Sequence, residues 1–355
     1  MSAARGDSLG RARARLLASI IATSAVGSGI YGYVSTSPDG SPLEGGILGV
    51  IASVLISGTL ASLEIYLLNS PRARVFYRVP FAAMLAGRFA VYLVVILLGL
   101  ALARWLVEGR VLIERDSLIF GIAASMTINF IFSVNQLLGP GVLFSFVAGR
   151  YNQPRIEERV LLFIDMESST RIAERLGEVR FLVFLNRFIA DVSEAIMRHR
   201  GEIHKYVGDE VIVTWKLAAG IRDARCVSGC FDALARLERQ APDYERAFGV
   251  RANFRAALHC GPVVIGELGV MKQEIALIGD TMNTAARLQQ ACRDTGHRVL
   301  ASAALIDRLA ALPLGVTSRP LGELVVPGKE RPLELFVLEA DLGAGPATAP
   351  IPNDR

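Results

Sequence analysis

The sequence predicts two unlike halves: an N-terminal α-helical membrane domain of four transmembrane helices, then a soluble α+β domain with a mostly antiparallel sheet. Three observations carry this. Four long apolar runs occupy residues 16–34, 46–68, 89–107 and 117–138. Beyond about Arg150 shorter, strand-like apolar runs alternate with stretches of helical period. The chain is 52% hydrophobic and only 20% charged, which excludes a disordered polymer.

Each long run has 19 to 23 residues, enough to cross about 30 Å of hydrocarbon as a helix. The first run is not read as a cleavable leader: it lacks a small-x-small cleavage site, and three more spans follow. Arg5, Arg11, Arg13 and Arg15 precede the first span. Arg72, Arg74 and Arg78 lie between the second and third, and Arg150, Arg155 and Arg159 follow the fourth. The loop at 35–45 has no Arg or Lys, and in 108–116 Arg110 and Arg115 are offset by Glu108, Glu114 and Asp116. The positive-inside rule then puts the N-terminus, the middle loop and the C-terminal half in the cytoplasm, with Trp105 near the outer interface. The expectation is a multi-pass inner-membrane protein with lipid as one partner. Glu64, Arg88 and Arg104 lie near span ends. They either snorkel to the interface or form a buried ion pair in a sensor. No His occurs in the first 150 residues, which removes bis-His haem. The outer loops are too short for a ligand-binding domain, so any signal, or any membrane-embedded regulator, would act within or beside the bilayer.

The domain plan is an arm at 1–15, the membrane domain at 16–138, a coupling segment at 139–158, the soluble domain at 159–340 and a disordered Ala/Pro/Gly-rich tail at 341–355. The net charge of +4 is no nucleic-acid footprint: no basic patch is interleaved with aromatics. Cys226, Cys230, Cys260 and Cys292 form no CxxC pair and read as small buried residues. The four His are scattered, against a His/Cys zinc site.

Three segments of the soluble half carry chemistry. The first is a near-continuous apolar run from Arg159 to Met166, as a strand buried on both faces requires. It ends at Asp165 and is followed by Glu167-Ser168-Ser169-Thr170 and helical periodicity. A strand ending in Asp, then a Ser/Thr turn opening a helix, can hold a hard cation beside phosphates that meet free backbone N–H groups. A plain Ser N-cap explains part of the same pattern. The second segment is two β-rich runs flanking Gly208-Asp209, a hairpin with Asp209 at its tip. Carboxylates at adjacent strand ends suit a pair of divalent cations on a triphosphate; a chemically silent Gly-Asp turn is the plainer alternative. The third is a strand running into Gly279-Asp280-Thr281 and a helix. There Asn283 and Arg287, four apart, share one face. Further helices are expected at 168–199, 220–239, 281–292 and 302–309.

Taken together, in this order and spacing, FIDMESST, KYVGDE and GDTMNTAAR resemble the class III nucleotide cyclase catalytic domain, the adenylate/guanylate cyclase fold. The resemblance covers roughly residues 159–338. It implies that Asp165 and Asp209 are the metal carboxylates, with the Met166 backbone carbonyl as a further ligand. Ser168, Ser169 and Thr170 fall where the backbone cradles phosphates. Asn283 matches the ribose-orienting residue and Arg287 the Arg that stabilises the transition state. Lys205 matches the purine-reading Lys that favours ATP. The implied cofactors are two Mg²⁺, with Mn²⁺ able to substitute. The implied assembly is a homodimer whose sites draw metal residues from one copy and Lys, Asn and Arg from the other.

Two positions depart from the family pattern. Ala276 stands where an adenine-contacting side chain is usual, with Glu274 near enough in sequence to replace it. Pro327 stands where many members carry a phosphate-binding Lys, which Lys329 would replace. The implied function is a membrane-bound adenylate cyclase converting ATP to 3′,5′-cyclic AMP and pyrophosphate. The alternatives are a guanylate or relaxed-specificity cyclase and a membrane receptor with an inert nucleotide-binding domain. A diguanylate cyclase is set aside because the residue 207–211 tip lacks its signature. His204 is set aside as a base because neighbours on a strand point to opposite faces.

Overall fold

The computed structural model describes residues 2–35, 41–64, 81–111, 115–138, 145–146, 148–271, 273–324 and 332–340. The chain divides into two compact units, Met1–Leu137 and Leu138–Arg355.

The first unit is helical: α1 (Ser2–Val34), α2 (Pro42–Ser62), α3 (Phe81–Glu108) and α4 (Arg115–Leu138). Among the described residues, three helical segments are long and apolar enough to cross a bilayer: Leu17–Val34, Pro42–Ser62 and Ala86–Glu108. Of the four expected spans, three are found by this measure; the fourth run also forms a helix, α4. Helices α1 and α2 approach closely because glycine lines the contact. A Cβ on Gly32 would stand 2.2 Å from the Gly45 carbonyl oxygen, and one on Gly49 2.1 Å from that of Ser28. Ser53 Oγ donates to Ser24 Oγ at 2.8 Å across the same contact. Glu64 and Arg88 are both buried. The Arg88 guanidinium meets Glu64 Oε2 at 3.3 Å, and the Tyr92 hydroxyl donates to Glu64 Oε1. Of the two readings for these charges, the geometry is that of an ion pair. Arg104 sits 3.8 Å from Glu108, one turn on.

The second unit is built from β1 (Arg155–Met166), α5 (Ser169–Leu176), α6 (Glu178–Arg198), β2 (Glu202–Val207), β3 (Glu210–Lys216), α7 (Leu217–Ile221), α8 (Arg225–Phe248), β4 (Phe254–Leu268), β5 (Glu274–Ile278), α9 (Asp280–Thr295), β6 (Val299–Ser302), α10 (Ala303–Ile306), β7 (Val316–Leu324) and β8 (Leu333–Ala340). The sheet runs β2-β3-β1-β4-β6-β8-β7, with β5 also paired to β4. Among the described residues only β4 and β6 pair in parallel, so the sheet is mixed and mostly antiparallel, as the sequence predicts.

Strand β1 lies between β3 and β4 and is covered on both faces, which explains its unbroken apolar run. Val160, Leu162 and Ile164 belong to the larger core, shared with Phe184, Phe188 and Val192 of α6 and Cys230 and Leu234 of α8. Leu161 and Phe163 point the other way, into a cluster with Ala285 of α9. The expected helix at 168–199 is in fact two. It breaks at Gly177, whose φ of 76° ends α5 and opens α6. The four cysteines are free and buried. Burial pushes the Cys226 and Cys292 thiols up to about 12, so they serve as packing groups. Residues 36–40, 65–80 and 341–355, the expected tail among them, lie outside the described residues.

The α6–α8 pair is pinned by a buried carboxylate. Asp191, 2% exposed, accepts from the Tyr244 hydroxyl at 2.8 Å, from Arg236 at 3.2 Å and from Gln240 at 3.3 Å. Asp191→Ala removes the acceptor that Tyr244, Arg236 and Gln240 share, while Arg236 keeps Glu194 at 2.6 Å, and should cost about 2 kcal/mol. The measurement is chemical denaturation of the detergent-solubilised full-length chain, followed by Trp215 fluorescence in a Trp105→Phe background.

Candidate active site

Side-chain parity puts Asp165 where it can act. It follows Leu161 and Phe163 at intervals of two and so shares their face, the one covered by α9. The residue is 5% exposed. A buried anion at a strand end needs a partner, and Arg293, in the last turn of α9, supplies one. Arg293 Nε donates to Asp165 Oδ2 at 3.0 Å, and a terminal nitrogen donates to Oδ1. Across the ladder Asp165 is opposite Arg255 of β4, whose guanidinium lies 3.2 Å from Glu167. On the other side it is opposite Glu210 of β3.

The hairpin delivers the second carboxylate. Strands β2 and β3 pair up to Val207 and Glu210, leaving Gly208-Asp209 as a two-residue turn. The positive φ of Gly208, 61°, is what such a turn requires. Asp209 therefore adjoins Glu210 at the rim that ends with Asp165. Burial pushes the Glu210 carboxyl up to about 6, and the negative charge of Asp165 and Asp209 adds to this while Arg293 opposes it. Three carboxylates thus share one rim. This is an all-oxygen donor set of the kind hard divalent cations take, so the residues fit such an ion. Among the described residues no group of three or more His, Cys, Asp or Glu stands assembled as a cage. The oxygens of Asp165 are turned to Arg293 instead.

Beside this rim helix α5 begins. Ser168, at φ 58° and ψ 30°, turns the chain left-handed into α5, and its side chain makes no capping bond. The plain N-cap explanation therefore does not apply, and Ser169 and Thr170 open α5 with the backbone N–H groups of its first turn. Met166 is buried, opposite Phe254. Helix α9 starts directly after β5, and its packing against β4 is close. A Cβ on Gly261 would lie 2.8 Å from Thr281 Oγ1, and that hydroxyl donates to the Pro262 carbonyl. Asn283 is exposed and Arg287 half-buried on the same face of α9, as their spacing predicts.

Lys205 of β2 reaches β5, where its ammonium meets Glu274 Oε1 at 3.0 Å and Oε2 at 3.3 Å. Ala276 lies two residues on, opposite Gly266. The register slips between Ile203 and Lys205, so strict alternation does not hold at His204. Lys329 and Pro327 lie outside the described residues. The structure adds Glu210, Arg255 and Arg293, which sequence reasoning did not single out. Glu210 and Arg255 had only a register to betray them. Arg293 lies six residues beyond Arg287, off its helix face, and nothing local reveals its contact with β1.

A family model described as the adenylate and guanylate cyclase catalytic domain matches residues 151–340. Adenylate cyclase 2 of Rhizobium meliloti (strain 1021) is 35% identical over 317 residues, spanning 86% of this chain and 87% of the relative. That match is too long to fit within the second unit and so includes much of the helical half. Adenylate cyclase 1 of the same organism is 30% identical over 185 residues, 51% of this chain but 27% of the relative. A solved bacterial light-regulated adenylyl cyclase superposes with a TM-score of 0.52 at 20% identity, over 61% of this chain and 63% of that one. That likeness is one of fold.

His204 has its pKa lowered to about 4, by burial first and then by the Lys205 charge. Its unfolded value is near 6.5, so between pH 6.5 and 4 the unfolded chain binds the extra proton. This contribution to stability is present above pH 6.5 and is lost as pH falls through the window. His204→Gln should flatten that part of the stability curve, by about 1 kcal/mol or more at pH 4 to 5. Melting temperatures of both full-length proteins across pH 4–8 check it.

Proposed function

The chain belongs to the adenylate and guanylate cyclase catalytic-domain family, and we propose that it is a membrane-anchored adenylate cyclase that makes 3′,5′-cyclic AMP and pyrophosphate from ATP. The observation that carries this is the meeting of Asp165, Asp209 and Glu210 at one rim, with Asn283 and Arg287 sharing one face of α9. The long match to a named adenylate cyclase supports the choice of substrate class.

In this reading the ribose 3′-oxygen bonds to the α-phosphorus, the bond from that phosphorus to the β-phosphate bridge breaks, and pyrophosphate leaves. Asp165 and Asp209, with the Met166 carbonyl, would hold divalent ions, Mg²⁺ or Mn²⁺, which lower the pKa of the attacking hydroxyl and offset triphosphate charge. The first-turn N–H groups at Ser168, Ser169 and Thr170 receive phosphate oxygens, and Arg255 and Lys329 add positive charge. Asn283 orients the ribose. Arg287, always cationic, stabilises the charge that develops on the phosphoryl oxygens. Lys205 and Glu274 present a donor and an acceptor together. Glu274 and Ala276 share one face of β5, so Glu274 supplies the acceptor that Ala276 lacks. A guanylate or relaxed cyclase is the second reading, since a purine of either kind can meet a donor and an acceptor.

The metal carboxylates and the Lys205, Asn283 and Arg287 set serve one substrate across two copies of the chain, so the working form is a homodimer. The apolar helices anchor it in the inner membrane, with α4 as a fourth crossing and the catalytic unit in the cytoplasm.

Membranes carrying the full chain should convert ATP well in excess of GTP, with Mg²⁺ or Mn²⁺. Equal turnover would remove the ATP assignment. Asp209→Ala should abolish cyclic nucleotide formation, and persistence of product would reject the metal-carboxylate role. Arg287→Ala should lower kcat by about 10²–10³. Coexpression of Asp165→Asn with Arg287→Ala should restore activity, because a mixed dimer holds one intact site. No recovery would reject a site shared between copies.

A further inference from the structure

The fork of Arg293 engages both carboxylate oxygens of Asp165, and these are the atoms a divalent cation would need. A bidentate, charge-assisted pair of this kind is among the stronger contacts a carboxylate makes. The same guanidinium feels the negative charge of Asp209 and Glu210, with Asp165 as its principal partner. One cation thus faces all three carboxylates of the rim. The two partners differ in exposure: the Asp165 side chain is 7% exposed, while that of Arg293 is 49% exposed. Arg293 also sits in the last full turn of α9, three residues before Gly296 caps the helix. It can leave for water without opening the core, whereas Asp165 cannot move without breaking the sheet.

We propose that Arg293 is a displaceable counter-ion, a built-in substitute for the divalent cation, and that metal entry and Arg293 departure are one exchange. The proposal rests on Asp165 being a metal carboxylate and adds what holds that seat before the metal arrives. The exchange forms no covalent bond. Two N–H···O contacts of Arg293 are replaced by water, and the carboxylate oxygens turn to the incoming ion. A second consequence comes from the helix itself. Asn283 and Arg287 stand on the same α9 as Arg293, so the tether released at one copy's metal seat belongs to the helix that, in a dimer, serves the other copy's substrate.

The test is Mn²⁺ binding to the detergent-solubilised full-length chain without nucleotide, read from the electron paramagnetic resonance signal of free Mn²⁺. Arg293→Gln should tighten binding about tenfold, because the competing charge-assisted contact is gone. Arg293→Lys keeps the charge but loses the fork. It should tighten binding by a smaller factor, and it serves in place of the Gln variant should that one not fold. Unchanged or weakened binding in both variants overturns the proposal, since an Arg that merely orients Asp165 would aid the metal. Asp165→Asn is the parallel arm. If it abolishes the binding while the Arg293 variants leave it unchanged, the metal reading stands and the exchange alone fails. If Mn²⁺ binds equally well to Asp165→Asn, the metal seat is elsewhere and both fall.

Discussion

A carboxylate buried at the end of a central strand has to be balanced. Desolvation makes an isolated charge there too costly, and the second unit is arranged around that requirement. Strand β1 can end in Asp165 only because α9 lies across its face and brings Arg293 within reach, while β4 sets Arg255 opposite. The same helix that settles the charge carries Asn283 and Arg287. The element that makes Asp165 tolerable in the fold and the element proposed to handle substrate are thus one, and packing and chemistry share a single piece of scaffold.

Much of this could be read from residues alone, and the reason is local. The run from Arg159 to Met166 is apolar because both faces of β1 are covered. Gly208-Asp209 marks a hairpin because a positive φ is needed at the turn. The four-residue interval from Asn283 to Arg287 survives as one helix face. What stayed hidden is what local pattern does not encode. The Arg293–Asp165 pair joins residues 128 apart in sequence, and nothing around either one announces it. Glu210 looked like an ordinary strand-opening residue until pairing put it beside Asp165. The bulge at Ile203–Lys205 is a matter of register, which hydrophobic alternation does not count. Gly177 divides a stretch whose helical period continues on both sides.

The helical unit teaches a similar lesson. Length and apolarity pointed to four crossings; three are found among the described residues, and the fourth run is the helix α4. What sequence did not convey is how close α1 and α2 stand. Their glycines let backbone meet backbone, and without a strong hydrophobic drive between helices in lipid, such van der Waals contact is a main source of association. The Glu64–Arg88–Tyr92 cluster adds a polar tie between the residues following α2 and α3.

The close seat of α9 on β4 has an outcome for how this protein can vary. Gly261 has no room for even a methyl group, because Thr281 is β-branched and its hydroxyl is already committed to Pro262. Any side chain there would lever the start of α9 off the sheet, shifting Asn283 and Arg287 together while leaving every chemical group in place. Position 261 is therefore a silent determinant of turnover: a residue that meets no nucleotide, yet through which drift or design could detune the catalyst as a whole.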